Sequence, residues 1–317
     1  LVSVVSVLWL VPLVRKAAIK NRILDVPDGG VKLHEVAVPH FGGVAVCLAL
    51  TAGLLPVFPS QTHLLWLYLG SLLLLFLGVV DDLHILSAAK KFVGQLFVVF
   101  CFLLSGFVLK TSFFSSTVRI AISGLWMLTV INAFNLIDVM DGLATTVAFC
   151  ACAAFCVCAF WVGNFEVTLF LVALMGALIG FFYYNKPPAS IYLGDAGAHF
   201  VGGILAAVPM LISWSEFNTF GFLVPAVILG VALAEVATLI FLRLRAGISP
   251  FAGSPHHFAI YLRNKGWSRM QVLAIAAAAT AILSLFAFLF FLGYLFLFVF
   301  IPGLILSFLL WCFFVFS

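Results

Sequence analysis

The sequence predicts an all-α polytopic integral membrane protein, and three observations carry that expectation. Hydrophobic residues make up 65% of the 317-residue chain, charged residues only 8%, and the mean hydropathy is +1.30. A soluble domain is about 25% charged, so this chain cannot cover a globule with polar surface. Its apolar residues fall in long runs, and a spanning helix needs roughly 20 of them. In lipid every backbone polar group must be satisfied internally, so helices are the reasonable element for these runs.

The runs, in order, are residues 1–14, 41–58, 63–80, 93–109, 118–136, 143–161, 166–183, 197–214, 218–242, 271–290 and 292–315. They make eleven spans, or ten if the Phe-rich stretch around Gly293 and Pro302 is divided differently. The first run is followed by Arg15, Lys16, Lys20 and Arg22, whereas a signal peptide has its cations before the apolar stretch. Residues 1–14 are therefore read as the end of a first transmembrane helix, and residues 1–317 as one membrane domain. Cys150, Cys152, Cys156 and Cys158 share the sixth run with no histidine or carboxylate, as packing residues would. Nothing in the cysteine spacing suggests disulfides.

With eleven spans the loops alternate sides. One side collects Arg15, Lys16, Lys20, Arg22, Lys32, Lys90, Lys91, Lys186, Arg243, Arg245, Arg263, Lys265 and Arg269; the other has Lys110 and Arg119. Positive residues favour the cytoplasm, which puts the N-terminus outside and the C-terminus inside, in a cytoplasmic membrane. The acids sort the same way. Asp25, Asp28, Glu35, Asp81, Asp82, Asp138, Asp141 and Asp195 lie on the cytoplasmic side, Glu166 and Glu216 opposite, and Glu235 within a helix. The net charge of +4 is too small to argue for nucleic acid.

Four cytoplasmic joins carry chemistry-bearing residues. In GVVDDLHILSAAKKFVGQ (78–95), Asp81 and Asp82 end an apolar helix, and Lys91 and Gln95 share a face of the next. Adjacent acids at a lipid boundary repel and gain most from a cation or a proton to transfer; capping is the rival reading. In NAFNLIDVMDGLATT (132–146), Asn132, Asn135, Asp138 and Asp141 recur every third residue as a slanted polar stripe. Asp141-Gly142 reads as a turn, so the stripe runs off the helix end. Asn and Asp are hard oxygen ligands suited to Mg²⁺. In YNKPPASIYLGDAGAHFVGG (184–203), Pro187-Pro188 break a helix and Gly194-Asp195 open the next, where Asp195 alone reads equally as a cap. In SPFAGSPHHFAIYLRNKGWS (249–268), adjacent His256 and His257 sit near Arg263, Lys265 and Arg269. Protonated histidine binds phosphate, while adjacent histidines do not match usual zinc spacing. A pump or channel would place ionisable groups at mid-bilayer. Only Glu235 is a candidate there, and the plainer reading makes it the partner of a neighbouring polar group.

Together these motifs resemble the polyprenyl-phosphate N-acetylhexosamine-1-phosphate transferases, which include phospho-MurNAc-pentapeptide translocase. The resemblance runs from about residue 11 to 270. It includes VPLVRKAAIKNRILDVPDGGVKLHEVAVPHFGG (11–43), with Lys32, His34, Pro39, Gly42 and Gly43 in the family's places. The resemblance implies attack of a polyprenyl (undecaprenyl) phosphate on the β-phosphorus of a UDP-sugar. The products are polyprenyl-diphospho-sugar and UMP, and Mg²⁺ is required, with Mn²⁺ able to substitute. By the same resemblance Asn135 and Asp195 are the metal ligands. Asp81 and Asp82 are the catalytic pair, as a base toward the lipid phosphate or as a nucleophile in a two-step route. Asp141 and Tyr192 contact uridine, Lys91 contacts phosphate, and His256 and His257 act on the phosphate or sugar side. Lys32, His34, Asn132, Asp138, Asn185, Gly194 and Arg263 complete the substrate-facing set. A homodimer is implied by resemblance only.

Three departures stand out. Val139 replaces the first Gly of an Asp-Gly-x-Asp-Gly pattern, Ala198 stands where a Ser is common, and Ser254-Pro255 precede the histidine pair where a further His is usual. The first-motif region resembles the UDP-N-acetylhexosamine branch, with N-acetylglucosamine the favoured donor, more than the pentapeptide branch, and the histidine loop is atypical for the latter. The rival class is a transporter without chemistry, motivated by the many helices and Glu235.

Overall fold

The computed structural model describes residues 1–25, 37–55, 62–249 and 253–316. Each of the eleven apolar runs contains helix. Eight segments are long and apolar enough to cross a bilayer: α1 (Val2–Lys20), α3 (Thr62–His84), α5 (Ser116–Ile137), α6 (Leu143–Trp161), α7 (Phe165–Asn185), α8 (Gly194–Ala207) with a 3₁₀ turn to Leu211, α12 (Arg269–Phe291) and α13 (Leu297–Phe316). A ninth is broken. The 218–242 run becomes a 3₁₀ turn, α9 (Val224–Ile228) and α10 (Gly230–Arg245), bent by 72°. Pro225 sits in the first turn of α9, where its missing N–H is harmless. At the bend Gly230 lacks a side chain, and a Cβ there would come within 2.8 Å of Leu283 on α12.

The other two runs give shorter helices. α2 (Gly42–Leu54) has 13 residues, about 20 Å of helix against a hydrocarbon core of about 30 Å. α4 (Ala88–Leu104) has 17. The protein is thus a helical polytopic membrane protein with eight or nine candidate spans among the described residues. One element departs from the all-helical expectation: β1 (Leu24–Asp25) pairs antiparallel with β2 (Val38–Pro39), Leu24 opposite Pro39. It lies outside the apolar runs, where lipid imposes no helix.

The centre is α8. Of its residues all but Asp195 are buried, and it packs on α2, α3, α5 and α6. Small residues permit this. A Cβ on Gly43 would lie 2.2 Å from Gly197 Cα, and one on Gly78 would lie 2.4 Å from Ala196 Cα. By contrast α13 is mostly exposed, with Phe298 and Phe313 bare, as a lipid-facing helix should be.

Candidate active site

The close approach of α3 to α8 sets the first half of the site. One turn beyond Gly78, Asp82 meets the start of α8: its Oδ1 accepts from Asp195 N at 2.9 Å and its Oδ2 from Ala196 N at 3.1 Å. A helix N-terminus offers unsatisfied N–H groups and a positive dipole end, so Asp82 serves as a cap from a neighbouring helix. Gly194 makes room, with φ +74° and a virtual Cβ 2.8 Å from Asp82 Oδ2. Asp81 is only 4% exposed; its Oδ1 accepts from Leu86 N at 2.7 Å, and its Oδ2 pairs with Lys91 Nζ.

Lys91 joins the two helices. Besides Asp81 it reaches Asp195 Oδ2 at 3.3 Å. One turn further along α4, Gln95 is fully buried and builds a closed amide–imidazole network. Its Nε2 donates to Asn132 Oδ1 at 3.3 Å, its Oε1 accepts from Asn132 Nδ2 at 2.8 Å, and its Nε2 lies 2.9 Å from His199 Nε2. His199 Nδ1 is 2.7 Å from the Asp195 carbonyl. A carbonyl only accepts, so Nδ1 carries the proton and Nε2 takes the Gln95 amide hydrogen. Asn132, expected to face substrate, thereby supports the floor beneath Asp195.

The polar stripe runs off the end of α5 as its spacing implies. Asn135 Nδ2 contacts Asp195 Oδ1, and Asp138 is the C-cap residue of α5. Burial, and then the charges of Asp195, Asp82 and Asp141, push the Asp138 carboxyl well above the usual range. Asp141 is 8% exposed and its Oδ2 accepts from Arg269 Nη1 and Ala189 N, both at 3.1 Å. Gly142 completes the turn at φ +74°, a conformation glycine adopts without Cβ strain.

Tyr192 is placed by backbone pairing. Its N–H bonds Pro39 O at 2.9 Å, and its carbonyl accepts from Gly42 N at 2.9 Å. The His40 ring meets the Tyr192 ring edge-on at 6.2 Å. Burial, helped by Asp141 and Asp25, pushes the phenol up, so it stays neutral and suits stacking on a neutral base. Asn185, also expected to bind substrate, is 1% exposed; its Oδ1 accepts from Thr145 and its Nδ2 donates to Ile191 O, which fixes the loop before Tyr192.

The histidine loop is anchored separately. His257 Nδ1 lies 2.8 Å from Glu235 Oε1 on α10, the neighbouring polar partner expected for that glutamate. His256 Nδ1 is buried and has no hydrogen bond among the described residues. Arg263, in α11 (Phe258–Asn264), donates to Trp267 O at 2.6 Å. Lys32 and His34 lie outside the described residues.

Comparison with known proteins bears on this arrangement. Residues 64–213 match the family described as Glycosyl transferase family 4. The chain is 30% identical over 287 residues to a probable undecaprenyl-phosphate N-acetylglucosaminyl 1-phosphate transferase of Bacillus subtilis, covering 87% of this chain and 79% of that one. The chain belongs to glycosyl transferase family 4. Phospho-N-acetylmuramoyl-pentapeptide-transferases of Listeria innocua and Staphylococcus carnosus are 28% and 27% identical, over 86% and 87% of this chain and 90% and 91% of theirs. As a family 4 member the protein is a membrane-embedded transferase enzyme. The stretch matched to family 4 takes in every site residue from Asp81 to Asp195 and stops short of the histidine loop. Within it, sequence reasoning singled out Lys91 and Gln95 but passed over His199, four residues after Asp195 and so on its face of α8. It also counted Arg269 only as a loop cation, and did not foresee His40 against Tyr192.

Proposed function

We propose that this enzyme transfers N-acetylglucosamine 1-phosphate from its UDP-sugar to undecaprenyl phosphate, releasing UMP and initiating a cell-envelope polysaccharide. The observation that carries the reading is the gathering of Asp81, Asp82, Lys91, Asn135, Asp138, Asp141 and Asp195 where α3, α4, α5 and α8 meet. The identity of the Bacillus subtilis relative supports this donor. In the proposed topology the eleven apolar helices form one membrane unit, the N-terminus lies outside, and this gathering sits at the cytoplasmic face. A lipid phosphate and a cytosolic nucleotide meet there.

Mg²⁺ fits the donor set. Half a turn of the Asn135 amide brings its oxygen beside the Asp195 carboxylate, and both are hard donors. Lys91 already places a positive charge between Asp81 and Asp195. Among the described residues no three His, Cys, Asp or Glu side chains form a ready cage. That suits an ion held by one or two protein oxygens and completed by water and substrate phosphates. When bound, Mg²⁺ offsets the repulsion between two anionic substrates and the charge on departing UMP.

The chain's own groups divide the remaining work. Asp141, steadied by Arg269 and Ala189 N, and the neutral Tyr192 ring receive uridine. Lys91, released from Asp81 or Asp195, passes to a phosphate oxygen. Asp81 and Asp82 face the acceptor phosphate, and the α8 amides keep Asp82 in place while it does so. The pentapeptide donor is the second reading, favoured by the Listeria innocua and Staphylococcus carnosus relatives. Purified protein with undecaprenyl phosphate and Mg²⁺ is given UDP-GlcNAc, UDP-GalNAc or UDP-MurNAc-pentapeptide in separate reactions. Product lipid from UDP-GlcNAc is the expected result; turnover of the pentapeptide donor alone overturns the sugar assignment.

A further inference from the structure

Glu235 is a carboxylate with 0% exposure in the middle of α10, between apolar neighbours Ala234 and Val236. A buried acid persists when its oxygens are matched to specific partners, and here both are matched. Oε1 receives His257 Nδ1 at 2.8 Å and Oε2 receives the Phe258 backbone N–H at 3.3 Å. Eight residues along α10, Arg243 Nε donates to Ser254 Oγ at 2.8 Å, and Arg243 lies within electrostatic reach of Glu235. The segment Ser254–Phe258 is therefore strung along α10 between two polar anchors, with both histidines inside it. The helices on either side of this loop and α11 also pack on the α5–α6 hairpin: α10 on α5 and α12 on α6, with Arg269 on Asp141. The loop is thus tied to the hairpin whose turn carries Asp138 and Asp141.

The bond to Glu235 occupies one ring nitrogen. His257 Nε2, across the ring, makes no hydrogen bond among the described residues, and the side chain keeps 9% of its surface open. A carboxylate on one imidazole nitrogen fixes the tautomer and the ring plane, and leaves the other nitrogen directed. We propose that Glu235 is a positioning residue that holds the His257 imidazole through Nδ1 so that Nε2 meets the substrate phosphates. It does so with no contact to substrate itself. This inference rests on the sugar-1-phosphate transfer proposed above.

The test is a double-mutant cycle on UMP release with Glu235→Gln, His257→Ala and the pair. Glu235→Gln keeps the side-chain shape but removes the charge that both N–H groups share. It lowers kcat roughly 10–100-fold with little change in KM for the UDP-sugar. In the His257→Ala background the same substitution has almost no further effect, because Glu235 acts through that ring. An equal loss in both backgrounds means a merely structural role and overturns the proposal. A second measurement uses wild-type protein, so it survives misfolding of the variant. Diethyl pyrocarbonate modifies His257, read by peptide mass spectrometry, and UDP-GlcNAc with Mg²⁺ slows that modification several-fold. An unprotected His257 overturns the proposal. Absence of UMP release by wild-type protein with any donor defeats the functional reading instead. The rate of His257 modification in Glu235→Gln against wild type then still decides the pair: a several-fold change upholds it and an unchanged rate sinks it.

Discussion

Gly194→Ala tests how the Asp82 carboxylate is held. Gly194 has φ +74°, and its added Cβ would lie 2.8 Å from Asp82 Oδ2 and 3.3 Å from Oδ1. A left-handed conformation disfavours alanine by about 1–2 kcal/mol. The methyl group also pushes Asp82 off at least one of its two α8 amides, and a hydrogen bond to a charged group contributes about 1.5–3 kcal/mol. The sum is a destabilisation of about 2.5–5 kcal/mol. Because the displaced carboxylate belongs to the proposed catalytic pair, turnover falls with stability, by roughly 100-fold if about 2.7 kcal/mol of it appears in the barrier. Thermal unfolding in detergent, followed by a thiol-reactive fluorophore on the free cysteines, measures the first effect, and UMP release measures the second. A Gly194→Ala protein with wild-type melting and wild-type turnover would refute the clamp between Asp82 and the start of α8.

Three further predictions follow from the same geometry. Asp82→Asn and Asp195→Asn abolish UMP release while the proteins still insert and purify as monodisperse species; full turnover by either removes that residue from the machinery. Lys91→Met leaves Asp81 and Asp195 facing each other and lowers stability by roughly 1–3 kcal/mol, less than a fully buried pair because the Lys91 and Asp195 side chains keep 19% and 34% exposure. Added Mg²⁺ then raises its melting temperature more than it raises that of wild type, and equal shifts would argue against a cation site between those acids. The third concerns Asp138, whose carboxyl is raised by burial and by Asp195, Asp82 and Asp141. The folded protein keeps a proton there that the unfolded chain loses, so this group's contribution to stability declines as pH rises from about 4 toward its raised value, and stays low above it. A cation among these acids reverses the effect by expelling the proton. Mg²⁺ addition in weak buffer should release protons from wild type, its apparent affinity should rise with pH, and Asp138→Asn should lose the release.

Much of the site was legible because its residues are polar in a chain that is not. The four-residue step from Lys91 to Gln95 put both on one face, and both reach α8. Asn135 and Asp195 were paired by resemblance and meet in the structure. What the sequence hid depends on close approach between distant segments. Nothing local in 39–43 says that its backbone pairs with Tyr192 and Leu193, since glycines at 42 and 43 reveal a tight contact but not its partner. His199 sat unremarked in a run of small residues, although its i+4 relation to Asp195 was available. Hydropathy saw 218–242 as one run because the bend at Leu229 changes direction without changing polarity. It also saw 41–58 as a span, of which the described helix covers Gly42–Leu54, while residues 56–58 lie outside the described residues.

The most direct measurement of the central claim is UMP release by purified protein given undecaprenyl phosphate, UDP-GlcNAc and Mg²⁺, with each omitted in turn. Release that needs all three, and that disappears in Asp195→Asn, is the predicted result. Folded protein that releases no UMP, or releases it equally without the lipid phosphate or the metal, would contradict sugar-1-phosphate transfer at the Asp81–Asp195 site.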